Sequence, residues 1–394
     1  MISDWPQLFG PNGNSTSSER GLRWDWDDNG PPILWRQAIG QGYSAPVIQG
    51  EELILHQRVE DQEIVSCLDA ETGAPLWSYG TPTSYECKYP YSNGPYSTPT
   101  ISGETVFAIT AQGRLLALSL TDGKTHWERD LLQDFQAEQG AYGVGVSPSI
   151  WRDRLILNVG GHEGHGIVAL STRDGSTLWS AMDDDRCYAT TVFAEQHGMW
   201  HAFVLTEQSA VALDPESGAV RWQRKFGVPR DPLRATAVTP LVVGNYLVLS
   251  SGPGPGTNLL QILPDGDFAE IWSRRRVIDG QYTNLLHVDG CFYGGDARSS
   301  TPFRCVDFQT GELLWEYDSD LCRAYSLYAD GHIVVLGEHG HLACFRPNRT
   351  KPDLRWMTSE PVLKTPCFSA PALSRGRLYL RNESELICLD LRAS

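Results

Sequence analysis

No run of 18 or more apolar residues occurs in the chain, so nothing in it reads as a transmembrane helix. There is no basic surplus either: 32 Lys and Arg stand against 48 Asp and Glu, for a formal net charge of −16. That sign repels a polyphosphate backbone and argues against nucleic acid as the main partner. Methionine is scarce, at four, and no two of the nine cysteines are adjacent. The opening Met1-Ile2-Ser3-Asp4-Trp5 has no basic start, no apolar stretch and no small-residue cleavage site. As written, the chain is expected in the cytoplasm; if it is a mature form, the periplasm or cell envelope is expected instead. What abounds is different: 38 Gly, 24 Pro and 13 Trp among 394 residues, 41% of them hydrophobic. That composition excludes disorder and predicts many short strands joined by tight turns.

The organising signal is a repeat. Cys67-Leu68-Asp69-Ala70-Glu71-Thr72-Gly73-Ala74-Pro75-Leu76-Trp77 recurs as Ala117 to Trp127, Ala169 to Trp179, Ala212 to Trp222 and Cys305 to Trp315. In each, a glycine precedes the tryptophan by four residues. It takes the positive φ of a hairpin turn, and the tryptophan opens the outer strand, where a large flat ring can cover the seam between sheets. Looser copies end at Trp272 and Trp356. The first position of the repeat alternates between Cys and Ala (Cys67, Cys305, Cys344 and Cys388 against Ala117, Ala169 and Ala212), which marks a small buried slot holding reduced, structural cysteines.

A second pair of strands precedes each unit, as in Ser44-Ala45-Pro46-Val47-Ile48 leading to Glu52-Leu53-Ile54-Leu55. Each repeat is therefore four strands. Trp35, Trp77, Trp127, Trp179, Trp222, Trp272, Trp315 and Trp356 are spaced by 42, 50, 52, 43, 50, 43 and 41 residues, the period of a propeller blade. The last copy stops at Asp390 without its tryptophan strand, and Pro32-Ile33-Leu34-Trp35-Arg36 supplies the missing one from the other end. The expectation is a single all-β domain: an eight-bladed β-propeller of four-stranded antiparallel blades, with residues 31–40 as closing strand and residues 1–30 as an extension packed on it.

The pattern Ala-x-Asp-x-x-Thr-Gly-x-x-x-Trp, matched almost in full at 67–77 and 305–315, resembles the tryptophan-docking repeat of pyrroloquinoline quinone (PQQ) propellers. The opening Trp5-Pro6-Gln7-Leu8-Phe9-Gly10-Pro11 is similar to the start of bacterial PQQ-like, BamB-like repeat proteins. The resemblance implies fold first, because the repeats build the scaffold. For function it implies three readings. One is a non-catalytic scaffold that binds protein or peptide segments. Another is a binder or sensor of a small planar or anionic ligand in the central funnel. The third is a quinoprotein dehydrogenase, for which PQQ and a calcium held by carboxylate and amide oxygens would be needed. The chain lacks the paired cysteines of many such enzymes and a committed acidic cluster, so no catalytic residue, cofactor or metal ligand is assigned. A monomer is expected.

The candidate ligand site is a ring of aromatics at one repeated position: Tyr43, Tyr96, Tyr188, Tyr282, Tyr325 and Phe368. Arg186 and Arg323 lie two residues before Tyr188 and Tyr325, and Lys88, Arg234 and Lys364 fall in equivalent connections. Cations among tyrosines suit a planar or anionic ligand; the competing reading is that the rings plug the channel and the arginines answer nearby acids. His162-Glu163-Gly164-His165 and Glu338-His339-Gly340-His341 have metal-ligand spacing but sit on opposite sides of an eight-fold ring, and read as exposed polar turns. Asp183-Asp184-Asp185 reads as a solvated loop between blades, and Gly252 to Gly256, with no strand feeding a helix, is no phosphate loop.

Overall fold

Eight four-stranded antiparallel sheets follow one another round a ring, an eight-bladed β-propeller. The computed structural model describes residues 4–227, 236–252, 254–295 and 302–393. Seven blades are continuous in sequence: residues 47–82, 100–130, 150–181, 192–225, 241–274, 286–317 and 325–357. Blade 8 takes three strands from residues 372–390 and its outer strand from Ile33–Ala38, with Arg36 opposite Ile387 and Ala38 opposite Glu385. An open sheet would leave an unpaired edge; the N-terminal strand removes it. The two middle strands of each blade are covered on both faces and are accordingly near-continuous apolar runs, such as Leu115–Leu118. The inner strand of each blade runs from one face, here called the mouth, to the other, the base.

Tryptophans join the blades. Trp77 Nε1 donates to Leu120 O of the next blade at 2.7 Å, Trp127 to Thr172 O at 3.1 Å and Trp315 to Asn348 O at 2.8 Å. The Cys/Ala slot lies directly across the strand pair from each ring: Cys67 opposite Trp77, Ala117 opposite Trp127, Cys305 opposite Trp315, Cys388 opposite Trp35. All nine cysteines are free, and burial pushes the Cys67 and Cys388 thiols up to about 12, so they are unreactive packing groups. The repeat glycine does more than turn the chain. Gly123 has φ +69°, and a Cβ there would lie 2.5 Å from the Trp77 ring; Gly175 stands in the same way against Trp127, at 2.8 Å. Blade 4 departs from the pattern. Trp222 Nε1 is buried with no partner among the described residues, and its ring packs on Phe268 at 4.8 Å. The longer turn before Trp272 is the cause, because it turns Gly266 toward Met199 instead.

Residues 4–30 are not a loose tail. Asp4 accepts from Gly50 N at 3.1 Å, and Trp5, 1% exposed, exchanges two 2.8 Å bonds with Ile48. Leu8 and Phe9 enter the channel, and Glu19 accepts from Arg375 N and Gly376 N at 2.7 and 2.6 Å. Trp24 O then accepts from Trp356 Nε1 at 3.0 Å, so this segment supplies the docking carbonyl that blade 7 needs. Where blade 8 meets blade 1, the fully buried Arg381 donates to the carbonyls of Gly40, Ser44, His56 and Asn382 at 3.0–3.1 Å.

One buried group makes the scaffold acid-sensitive. His201 is fully enclosed, stacks on Phe203 at 5.4 Å, and has no hydrogen-bond partner on either nitrogen among the described residues. Burial, with Arg221 adding to it, lowers its pKa from 6.5 to about 4. The folded state therefore holds the neutral ring while the unfolded chain protonates below about 6.5. The resulting stability is complete above that pH and is lost as pH falls through about 4. Urea titrations at pH 7 and pH 5 should differ by about 2 kcal/mol more for the native chain than for His201→Phe. Equal pH dependence in the two would refute the assignment.

Candidate functional site

At the mouth, each connection between blades feeds an inner strand through a short extended segment, and the residue just ahead of it faces the axis. Tyr43 meets Tyr96 edge-on at 5.1 Å and Phe368 at 5.4 Å; Phe368 meets Tyr282 at 5.1 Å, and Tyr282 lies 6.3 Å from Tyr325. Blades 3 and 5 carry Gly145 and Ala237 here, both on the cavity wall. A Cβ on Gly145 would lie 2.8 Å from the Tyr188 ring, so the glycine makes room for that ring to lean across. Tyr142 fills the remaining gap, 5.5 Å from Tyr188 and 6.0 Å from Tyr96. The rings enclose an axial cavity of about 140 Å³ with Leu8 and Phe9 among its lining residues.

Tyr91 and Tyr142 line this cavity too, and sequence alignment of the blades does not find them. They lie outside the repeated position; the only signal was a tyrosine-rich connection around Tyr85, Tyr89 and Tyr91. Hydroxyls mostly satisfy the backbone: Tyr96 OH donates to Ser92 O at 3.1 Å and Tyr325 OH to Tyr282 O at 3.3 Å. Tyr188 OH accepts from Tyr142 N at 3.2 Å. Tyr282 OH is buried with no partner among the described residues. Burial raises the phenol pKa of Tyr43, Tyr96, Tyr188 and Tyr282, so the ring stays uncharged at physiological pH.

The cations do not form one cluster. Arg323 is held by Glu338 through two bonds of 2.9 and 2.5 Å, and its guanidinium lies 5.2 Å from the Phe368 centroid and 5.6 Å from that of Tyr282. This corrects the reading of Glu338 as part of an exposed turn: it is 6% exposed, because it neutralises a cation behind the aromatic wall. Arg186 stands behind Tyr188; its Nε is buried with no hydrogen-bond partner among the described residues, and burial lowers its pKa against the pull of Tyr188, Asp185 and Glu138. Lys88 and Lys364 are exposed and are not part of the cavity wall, because their connections turn outward at the rim. Arg234 lies outside the described residues. Asp183 and Asp184 cap neighbouring turns, accepting from Gly164 N at 2.6 Å and Thr206 Oγ1 at 2.5 Å. His162 and Glu163 are exposed, and no group of three or more His, Cys, Asp or Glu converges among the described residues.

A quinone with its calcium does not suit this wall. The described lining is aromatic, aliphatic and hydroxyl-bearing, with Gln281 as its one side-chain amide and no carboxylate, whereas calcium needs six to eight oxygens. Arg323, the cation nearest the axis, is already paired.

Eight blades, each docking a tryptophan on its neighbour, define a PQQ-like repeat propeller. The family described as outer membrane protein assembly factor BamB matches residues 16–180 and 62–317, and the chain belongs to that family. The outer membrane protein assembly factor BamB of Yersinia pestis is 21% identical over 261 residues, covering 61% of this chain and 63% of that protein. This chain thus spans less than two thirds of that relative's length in the match. Among solved structures, BamB from Moraxella catarrhalis superposes with a TM-score of 0.66 at 18% identity, over 92% of this chain and 98% of that one. A europium-containing methanol dehydrogenase superposes with a TM-score of 0.70 at 12% identity, over 96% and 89%. At such identities these likenesses speak to fold alone.

Proposed function

We propose that the protein is a docking scaffold whose mouth holds segments of partner proteins. The observation that carries this is the chemistry of the axial cup: uncharged aromatic rings around a space the size of one apolar side chain, with no free ion on the described wall. The rim carries exposed acids, Glu138, Asp183, Asp318, Asp320 and Glu360, on a chain of net charge −16. A segment with one apolar anchor between basic residues fits both features, the anchor giving affinity and the flanks steering and orientation. Membership in a family named for outer membrane protein assembly supports a partner of that kind and a place in the cell envelope.

The test uses fluorescein-labelled peptides with a single Trp between Lys and Arg flanks, and acid-flanked controls. Basic peptides should bind about tenfold tighter at low salt and lose that binding in Tyr188→Ala and Tyr96→Ala. Equal affinity for the two peptide sets, or binding that survives both substitutions, would reject the reading. A second reading, a small planar or anionic ligand, draws on the unpartnered Arg186 Nε and Tyr282 OH; dependence of such binding on Arg186 would separate it from peptide docking.

A further inference from the structure

The inner strand is the free edge of every blade. Ile48, Ile101 and Tyr328 occupy the same place on it, one residue before the pair that closes the turn at the base. In all three the outward-facing backbone is taken by the chain's own N-terminal segment. Trp5 and Ile48 exchange two bonds, Ile101 N donates to Pro6 O, and Tyr328 donates to Ser15 O and accepts from Ser17 N, each at 2.8 Å. This is strand addition, performed inside the ring by an extended segment.

By register, the equivalent residues in blades 3, 4 and 5 are Ile150, Glu195 and Val242. The N-terminal segment makes no backbone pairing with them among the described residues. Their exposure follows: Ile48 and Ile101 are buried, whereas Ile150 and Val242 are half-buried and Glu195 is exposed. Between these strands and residues 7–13 lies a cleft of about 550 Å³ that opens beside the axial cavity, the two sharing Leu8, Phe9 and Thr239. Trp151, Phe193 and Trp200 give its wall an apolar character. Two further groups on that wall, Trp151 Nε1 and Thr191 Oγ1, are buried on residues 5% exposed and have no hydrogen-bond partner among the described residues.

We propose that this cleft is a second docking site, which takes an extended, apolar segment of a partner protein by strand addition across the inner edges of blades 3 to 5. Backbone pairing at Ile150 and Val242 continues round the axis the pairing that residues 5–17 make with blades 1, 2 and 7. The aromatic wall receives alternate side chains, and the indole N–H and the threonine hydroxyl meet the segment's carbonyls. The occupant is a partner segment and not a small molecule, because what the cleft leaves unsatisfied is mainly strand edge.

The experiment selects random extended heptapeptides displayed on phage against the full chain, and measures the best as synthetic peptides by calorimetry. Ile150→Pro and Val242→Pro each remove an outward N–H that the blade does not use, and each should weaken binding about tenfold. Tyr188→Ala, at the mouth, should leave binding unchanged. Should either proline variant unfold, Thr191→Val and Trp200→Ala carry the same expectation. The proposal is overturned if no peptide is retained, if affinity is indifferent to all four changes, or if it depends on Tyr188 alone, which would speak for the mouth. It is equally overturned if the native chain dimerises with concentration and these substitutions abolish the dimer, since the occupant would then be a second copy.

Discussion

Deleting residues 1–40 is expected to turn a dispersed protein into one that aggregates on expression or during gel filtration. The deletion strips blade 8 of its outer strand and leaves the edge of Glu385–Asp390 bare. It also uncovers the inner edges at Ile48, Ile101 and Tyr328, and leaves Trp356 Nε1 without its acceptor. Unpaired edges at the outside and at the axis of one molecule are templates for other chains. A soluble truncated form with an unchanged melting temperature would show that the segment is ornamental.

Trp77→Ala should cost about 3–5 kcal/mol, as a large-to-small change at a seam. The hydrogen bond can be separated from the ring. Trp77→Phe keeps most of the packing but leaves Leu120 O without its donor, whereas Trp222→Phe removes an N–H that already lacks a partner. The first should therefore be about 1 kcal/mol more damaging than the second. Gly123→Val should be as severe as Trp77→Ala, because positive φ and contact with the Trp77 ring act together. Urea midpoints for the four variants give the comparison; identical losses in the two Phe variants would dismiss the role given to the docking bond.

Blade number, the order of strands and the origin of the closing strand were legible because they are periodic or local. Trp35 sits where the repeat lacks a tryptophan, and the Cys/Ala alternation marks the slot across from each ring before any coordinates are known. Contacts between different turns of the ring were not legible. Glu338 lies 15 residues from Arg323 in a turn that looks like solvent-exposed punctuation, and only the fold brings it behind Phe368 and Tyr282. Tyr142 reaches the aromatic belt from a connection that belongs to no repeated position, so an alignment of blades passes over it. The same holds for the glycines: their positive φ follows from the turn, whereas the ring each one presses on belongs to the preceding blade.

The closing strand also sets the order of events during synthesis. Arg36 and its partner Glu385 are 349 residues apart, so the first strand made waits for almost the last. At ordinary rates of translation that interval is about 20–70 s. Throughout it, Ile33–Ala38 and the channel-filling segment ahead of it have no place to dock, while seven blades can already stack on one another. Closure is thus a late, non-local step of the kind that slows folding and exposes apolar chain to its surroundings. A nascent-chain complex arrested before residue 372 should have its first 40 residues open to protease, and release of the full chain should protect them in one step.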